Sequence, residues 1–191
     1  MTIIKKSVAA SLLISLGVVG LFSSDYSYLS MILFSFGLLT ICMLNLNLFT
    51  GKCGFIFERG NYLEVFFTLI INLISGFIIG AIISCMNEDY INTANSIIAN
   101  WSISDSYFIK SIFCGVIMFL AVYLFSKGTL LGIFLGVPLF ILCGFQHSIA
   151  NVIIMGIGKC FNEALLVCVV GNFIGSVLVC GLVYEEKKKK I

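Results

Sequence analysis

Charge is what this sequence has least of. Only 10% of its 191 residues are Asp, Glu, Lys or Arg, while 60% are hydrophobic; a soluble domain carries about 25% charged residues. With a mean hydropathy of +1.14, this scarcity excludes a soluble globular protein and makes the lipid bilayer the expected partner; nucleic acid is not expected as one. There is one proline, and the abundant Ile, Leu and Phe leave no room for a disordered linker, so 1–191 is read as a single domain. A single histidine excludes a bis-histidine haem within the chain. The eight cysteines form no Cys-x-x-Cys pair, and the clustered spacing of zinc or iron–sulfur sites is missing. They are read as small buried hydrophobes. No Gly-x-Ser-x-Gly is present, which removes one common hydrolase motif. No metal, no cofactor and no enzymatic activity are expected.

What is there is a succession of long apolar runs, at about 7–22, 29–49, 63–86, 107–125, 129–157 and 163–184. Each is near or above the ~20 residues that cross a bilayer as a helix. Lys5-Lys6 ahead of the first run has the make-up of a secretory signal. Residues 20–24 lack a small-x-small cleavage pattern, however, and the run is read as a first membrane helix.

The basic residues orient these spans. With both ends inside, inner segments hold Lys5, Lys6, Lys52, Arg59, Lys127 and Lys187 to Lys190, nine in all, against Lys110 and Lys159 outside. This is a strong positive-inside bias. A multi-pass protein of the cell inner (plasma) membrane with both termini cytoplasmic is expected. The tail Glu185 to Lys190 is read as a cytoplasmic anchor. The outer loop, 87–106, carries Glu88, Asp89 and Asp105 and no basic residue.

Two polar stretches interrupt the apolar runs: Asn47-Leu48-Phe49-Thr50-Gly51 and Gly144-Phe145-Gln146-His147-Ser148-Ile149-Ala150-Asn151. Polar groups at membrane depth are costly and persist where broken backbone lines a cavity. One break falls in the second span and one in the fifth. Corresponding breaks in two halves of opposite sense are the mark of an inverted repeat around a substrate path. Asn72, Gly76 and Gly80 of the third span weakly match Asn172, Gly175 and Gly181 of the sixth, although packing alone explains most such glycines. The expected fold is all-α, with six transmembrane helices in a 3+3 inverted repeat and helices 2 and 5 interrupted.

His147 has polar company in Gln146, Ser148 and Asn151, and an ionisable group inside a span is a functional candidate by default. Histidine can exchange a proton with a weak acid near neutral pH. Thr50 follows the first break. Its hydroxyl and the freed N–H groups around Gly51 suit a small anion, or it is an ordinary helix cap.

These residues carry a resemblance. Phe34-Ser35-Phe36-Gly37-Leu38 and Leu48-Phe49-Thr50-Gly51 resemble the second helix and Ω-loop of the formate/nitrite transporter family, which includes hydrosulfide channels. The stretch Gly144 to Asn151 resembles that family's fifth-helix signature, Gly-Phe-Glu-His-Ser-x-Ala-Asn. Cys114 with Leu120-Ala121-Val122-Tyr123 is similar to its fourth helix, and Gly171-Asn172-Phe173-Ile174-Gly175 to its sixth. The resemblance implies an aquaporin-like channel domain, a homopentamer with one pore per subunit, and small monovalent anions or their acids as substrates. It also implies a central histidine at His147, the Ω-loop threonine at Thr50, the closing Asn at Asn151, and constrictions from Phe34, Leu38, Phe49 and Phe140. Four positions depart from the pattern. Gln146 stands for the usual Glu, Asn47 for an acidic or polar residue, and Gly115 for an Asn. Lys110 is the candidate vestibule base, because 87–106 has no lysine.

The function expected is passive or proton-coupled passage of formate, nitrite or hydrosulfide through His147 between hydrophobic constrictions. The alternative is an aquaporin-like channel for small neutral solutes such as water or ammonia, selected by pore size and hydrogen bonding.

Overall fold

The computed structural model describes residues 2–24 and 27–184, and the basic tail from Glu185 lies outside them. The described chain is helical: α1 Ile3–Phe22, α2 Tyr28–Met43, α3 Phe49–Lys52, α4 Ile56–Arg59, α5 Tyr62–Ile83, α6 Glu88–Ala99, α7 Asp105–Ser126, α8 Leu131–Leu142, α9 Ser148–Gly158 and α10 Ala164–Val183, with a 3₁₀ turn at Cys53–Phe55. Four of these, α1, α5, α7 and α10, are long and apolar enough to cross a membrane; α2, α8 and α9 are shorter apolar helices. The starts are set by side-chain caps. Thr2, Ser27, Asn87 and Ser104 each accept a backbone N–H from the first turn they precede, which satisfies donors that the helix itself leaves unpaired.

Chain direction changes within the apolar runs through a pair of left-handed residues. α2 ends before Asn45 (φ 49°), and α8 ends before Gly144 (φ 63°). In both, the next N–H reaches back to close the helix end: Leu46 N donates to the Ile41 carbonyl and Phe145 N to the Phe140 carbonyl, each at 2.9 Å. This is the reach-back bond of a helix C-terminus stopped by an αL residue. After five residues of non-helical backbone in one case and five in the other, α3 and α9 begin.

Helices meet through small residues. A Cβ on Gly80 would strike the Ile153 carbonyl, and one on Gly156 the Phe77 carbonyl, so α5 and α9 lie backbone to backbone. Gly115 and Gly175 do the same for α7 and α10. Close backbone approach through glycine is a recurrent packing device of membrane helices. Gly181 faces open space and has no such role.

Two expectations are corrected. The segment 87–106 is not simply a loop, because it contains α6. That helix buries Ala94 and Ile98, one turn apart, while most of its polar residues face outward, and Ala94 and Ile98 pack on Gly158 of α9. The cysteines are not uniformly buried either. Cys53, Cys114, Cys168 and Cys180 are buried, but Cys85, Cys143 and Cys160 are exposed, each just beyond a helix end.

Candidate functional site

Two separate cavities are lined by neighbouring residues of α2, Phe34 and Leu38. One, of about 230 Å³, is lined by Phe34, Phe140, Gln146, His147 and Asn151. It adjoins a second polar space of about 440 Å³ that shares Trp101, Gly144 and Gln146 with it and is also lined by Tyr107 and Lys110. The other cavity, of about 220 Å³, is lined by Leu38, Leu48, Gly51, Lys52 and Arg59 among others. No lining residue is shared between the Lys110 side and the Arg59 side.

The partition between them is apolar. Phe34 and Leu38 lie one turn apart on α2, yet Phe34 lines one cavity and Leu38 the other. The Phe34 and Phe140 rings meet edge to face with centroids 5.9 Å apart. Phe34 is 3% exposed and Phe140 5%. A Cβ on Gly17 of α1 would lie 2.7 Å from the Phe34 ring, so that glycine makes the space the ring occupies.

Beside these rings, His147 of the Lys110-side cavity meets Thr50, which lines neither cavity and whose neighbour Gly51 lines the other. Thr50 Oγ1 and His147 Nε2 are 2.9 Å apart, and both residues are buried. The imidazole stacks on Phe140 at 5.8 Å. Its other nitrogen, Nδ1, accepts the Ala150 N–H at 3.0 Å and so caps α9. A neutral ring that accepts at Nδ1 carries its proton on Nε2. The histidine therefore donates to Thr50 Oγ1, and the threonine's own hydrogen is left to donate onward. An imidazolium would need a proton on Nδ1, so the cap and the charged ring exclude each other.

The breaks are held by two buried asparagines, known from the sequence as weak repeat matches and, for Asn172, as part of the sixth-helix resemblance. Asn72 Oδ1 accepts the Phe49 N–H at 2.9 Å, and its Nδ2 donates to the Asn47 carbonyl at 3.2 Å and the Ser7 carbonyl at 2.9 Å. Asn172 Oδ1 accepts the Ser148 N–H at 2.9 Å, and its Nδ2 donates to the Gln146 and Ser111 carbonyls, both at 2.8 Å. Irregular backbone in a bilayer must find internal partners, and one amide per break supplies two, with a third bond tying it to α1 or α7. The available signal was the cost of an asparagine in the centre of an apolar helix.

The remaining candidates separate. Asn151 joins His147 in the Lys110-side cavity, and its Nδ2 donates to Gln146 Oε1 at 2.9 Å and Tyr107 Oη at 3.0 Å. Lys110 is exposed at the mouth of that side. Phe49 is not brought to either central cavity. It lines a separate depression with Val65, Phe66 and Phe173, and its neighbour Leu48 faces the Arg59 side instead. Lys52, on that side, pairs with Glu64 at 2.7 Å. Among the described residues no group of three His, Cys, Asp or Glu could hold a metal.

Comparison with known proteins decides the lineage. The family model described as formate/nitrite transporter matches residues 1–186. The chain belongs to the formate/nitrite transporter family. As a member of this family of transporters and channels with long apolar helices, it is a multi-pass membrane protein. Solved structures agree on the fold. One described as an FNT family ion channel is 18% identical, with a TM-score of 0.79 over 94% of this chain and 87% of its own. Another, described as a pentameric formate channel with formate bound, is 20% identical with a TM-score of 0.68 over 94% of each chain. A search of curated proteins finds no match. For this formate/nitrite transporter family member, anion passage is thus the coarse function, and its own residues must supply the details.

Proposed function

We propose that this protein is a channel for small monovalent anions that cross its centre as their conjugate acids, and that it passes formate, nitrite and hydrosulfide. The observation that carries this reading is the Thr50–His147 hydrogen bond beside an apolar partition between two cavities. A bare anion between Phe34, Phe140, Leu38 and Leu48 would lose its water without gaining a counter-charge, at a cost of many kcal/mol. Its neutral acid avoids that cost and can accept the hydrogen bond that Thr50 has to offer. The proton comes from the water of the mouth, because His147 could give one up only by becoming an imidazolate. Lys110 at one mouth and Arg59 at the other raise the local anion concentration.

The chain is read as six membrane-crossing units, the second made of α2 with α3 and the fifth of α8 with α9, arranged as two inverted halves. The matched bonds of Asn72 and Asn172, and of Asn45 and Gly144, favour this repeat. The nine-to-two count of basic residues favours a cytoplasmic Arg59 side and cytoplasmic termini in the inner membrane. The pentameric relative of the same fold favours a homopentamer. Gln146 removes a negative charge from the pore, which suits hydrosulfide alongside formate.

The test is stopped-flow flux of the three ions into proteoliposomes at pH 6 and pH 8, with a dye reporting interior pH. Flux faster at pH 6 with proton movement is expected, hydrosulfide included. Equal flux at both pH values without proton movement would reject passage as the acid. No flux of any ion above empty vesicles would reject the channel.

A further inference from the structure

We propose that the Tyr107 hydroxyl is a binding station for small oxyanions, formate above all, between the Lys110 mouth and His147; this rests on the channel reading above. Tyr107 was not among the residues expected from sequence. It lies in the first turn of α7, its own N–H capped by Ser104 at 3.3 Å, and is 6% exposed.

The direction of its hydrogen follows from its neighbours. Gln146 Nε2 donates to the Gly144 carbonyl at 3.0 Å, which fixes the amide so that Oε1 is the acceptor. Asn151 Nδ2 donates to that Oε1 at 2.9 Å and to Tyr107 Oη at 3.0 Å. The tyrosine oxygen is therefore an acceptor toward Asn151, and its own hydrogen is directed elsewhere. Besides Asn151, the hydroxyl's hydrogen-bond partner is the Cys168 thiol, and sulfur is a weak acceptor. Cys168 itself donates to the Gln146 carbonyl at 3.2 Å. A good donor without a strong acceptor, in a buried position, is a ready partner for an anionic oxygen.

Its placement fits that role. Tyr107 lines the polar space that holds Lys110, and that space shares Gln146 and Gly144 with the cavity lined by His147 and Asn151. An anion drawn in by Lys110 thus meets a neutral donor before the apolar partition. Asn151, bonded to the tyrosine, has its own N–H on the His147 carbonyl at 2.8 Å, so the station and the central histidine are parts of one rigid unit. A neutral donor also lets the ion leave, which a buried cation would hinder.

A hydroxyl donor separates oxyanions from sulfur anions, because sulfur accepts hydrogen bonds poorly. Formate and hydrosulfide flux should be measured against concentration in proteoliposomes of wild-type protein and of Tyr107→Phe. The half-saturating formate concentration is expected to rise about tenfold, with hydrosulfide changed less than about twofold. Equal changes for both ions, or none, would overturn the station while leaving the channel standing. Absence of flux in the wild type would overturn both. Should Tyr107→Phe not assemble, site-specific 3-fluorotyrosine at position 107 supplies the answer. Its ¹⁹F resonance should move on titration with formate and stay in place with hydrosulfide, and an unmoved resonance with formate would overturn the proposal.

Discussion

Thr50 Oγ1 and His147 Nε2, 97 positions apart in sequence, lie 2.9 Å from each other, both buried. The histidine is oriented by the N-terminus of α9 through Nδ1. The threonine is fixed by α3, whose first N–H, that of Phe49, is held by Asn72. Each member of the pair is therefore placed by the backbone of its own break.

The hydroxyl rather than the bulk of Thr50 is expected to matter. Thr50→Val keeps the shape and removes the onward donor, and should lower formate flux about tenfold or more, the worth of one hydrogen bond. Thr50→Ser should keep most of it. His147→Phe should abolish flux while the oligomer still assembles. Flux assays on purified variants decide, and a Val variant equal to wild type would remove the hydroxyl from the mechanism.

Phe34 and Phe140 are expected to restrict rather than recognise, since an aromatic ring offers a small anion no hydrogen bond. Phe140→Ala should raise flux or admit acetate and lactate. Phe34→Ala should act the same way, with some loss of stability because its ring fills the space beside Gly17. Uptake of carboxylates of increasing size, compared with thermal unfolding of each variant, tests both. Reduced flux in a stable variant would make them packing residues.

Asn172 is expected to hold the fold together. Asn172→Leu keeps the volume but leaves the Ser148 N–H without its partner and the Gln146 carbonyl with only the Cys168 thiol. The cost should be roughly 2–4 kcal/mol, a fall of about 5–10 °C in the midpoint of unfolding in detergent. An unchanged midpoint would show that water or other groups take over these bonds.

Sidedness can be read by labelling. With Cys85, Cys143 and Cys160 replaced by serine, a cysteine at Asn92 should react with an impermeant maleimide added outside the cell. One at Glu58 should react only after the membrane is opened. Both reacting from outside would refute the orientation drawn from the basic residues.

Much of this protein was legible in its sequence because the bilayer imposes a simple grammar: apolar length marks helices, and polar interruptions mark where they end. The two breaks and the separate candidates Thr50 and His147 came from that grammar and from the family signature; the contact between them did not. Tyr107 did not, and Asn72 and Asn172 came only as pattern matches without their role, since their meaning lies in bonds to residues 23 to 65 positions away. Helix α6 was missed because its apolar stripe is short and polar residues dominate its composition. Phe49 shows the opposite failure. One residue of register decides whether Leu48 or Phe49 lines the Arg59-side cavity, and a motif cannot fix that.

The asparagine clasps separate two jobs that most binding sites combine. Because Asn72 and Asn172 secure the main chain of the breaks from behind, through α5 and α10, the side chain of residue 48 carries no duty in holding that main chain, and that of residue 146 adds only its bond to the Gly144 carbonyl. If ions pass as proposed, an exchange at Leu48 is expected to alter which one does without first unmaking the frame. A lineage, or an experimenter, can thus retune the filter one substitution at a time on an unchanged frame.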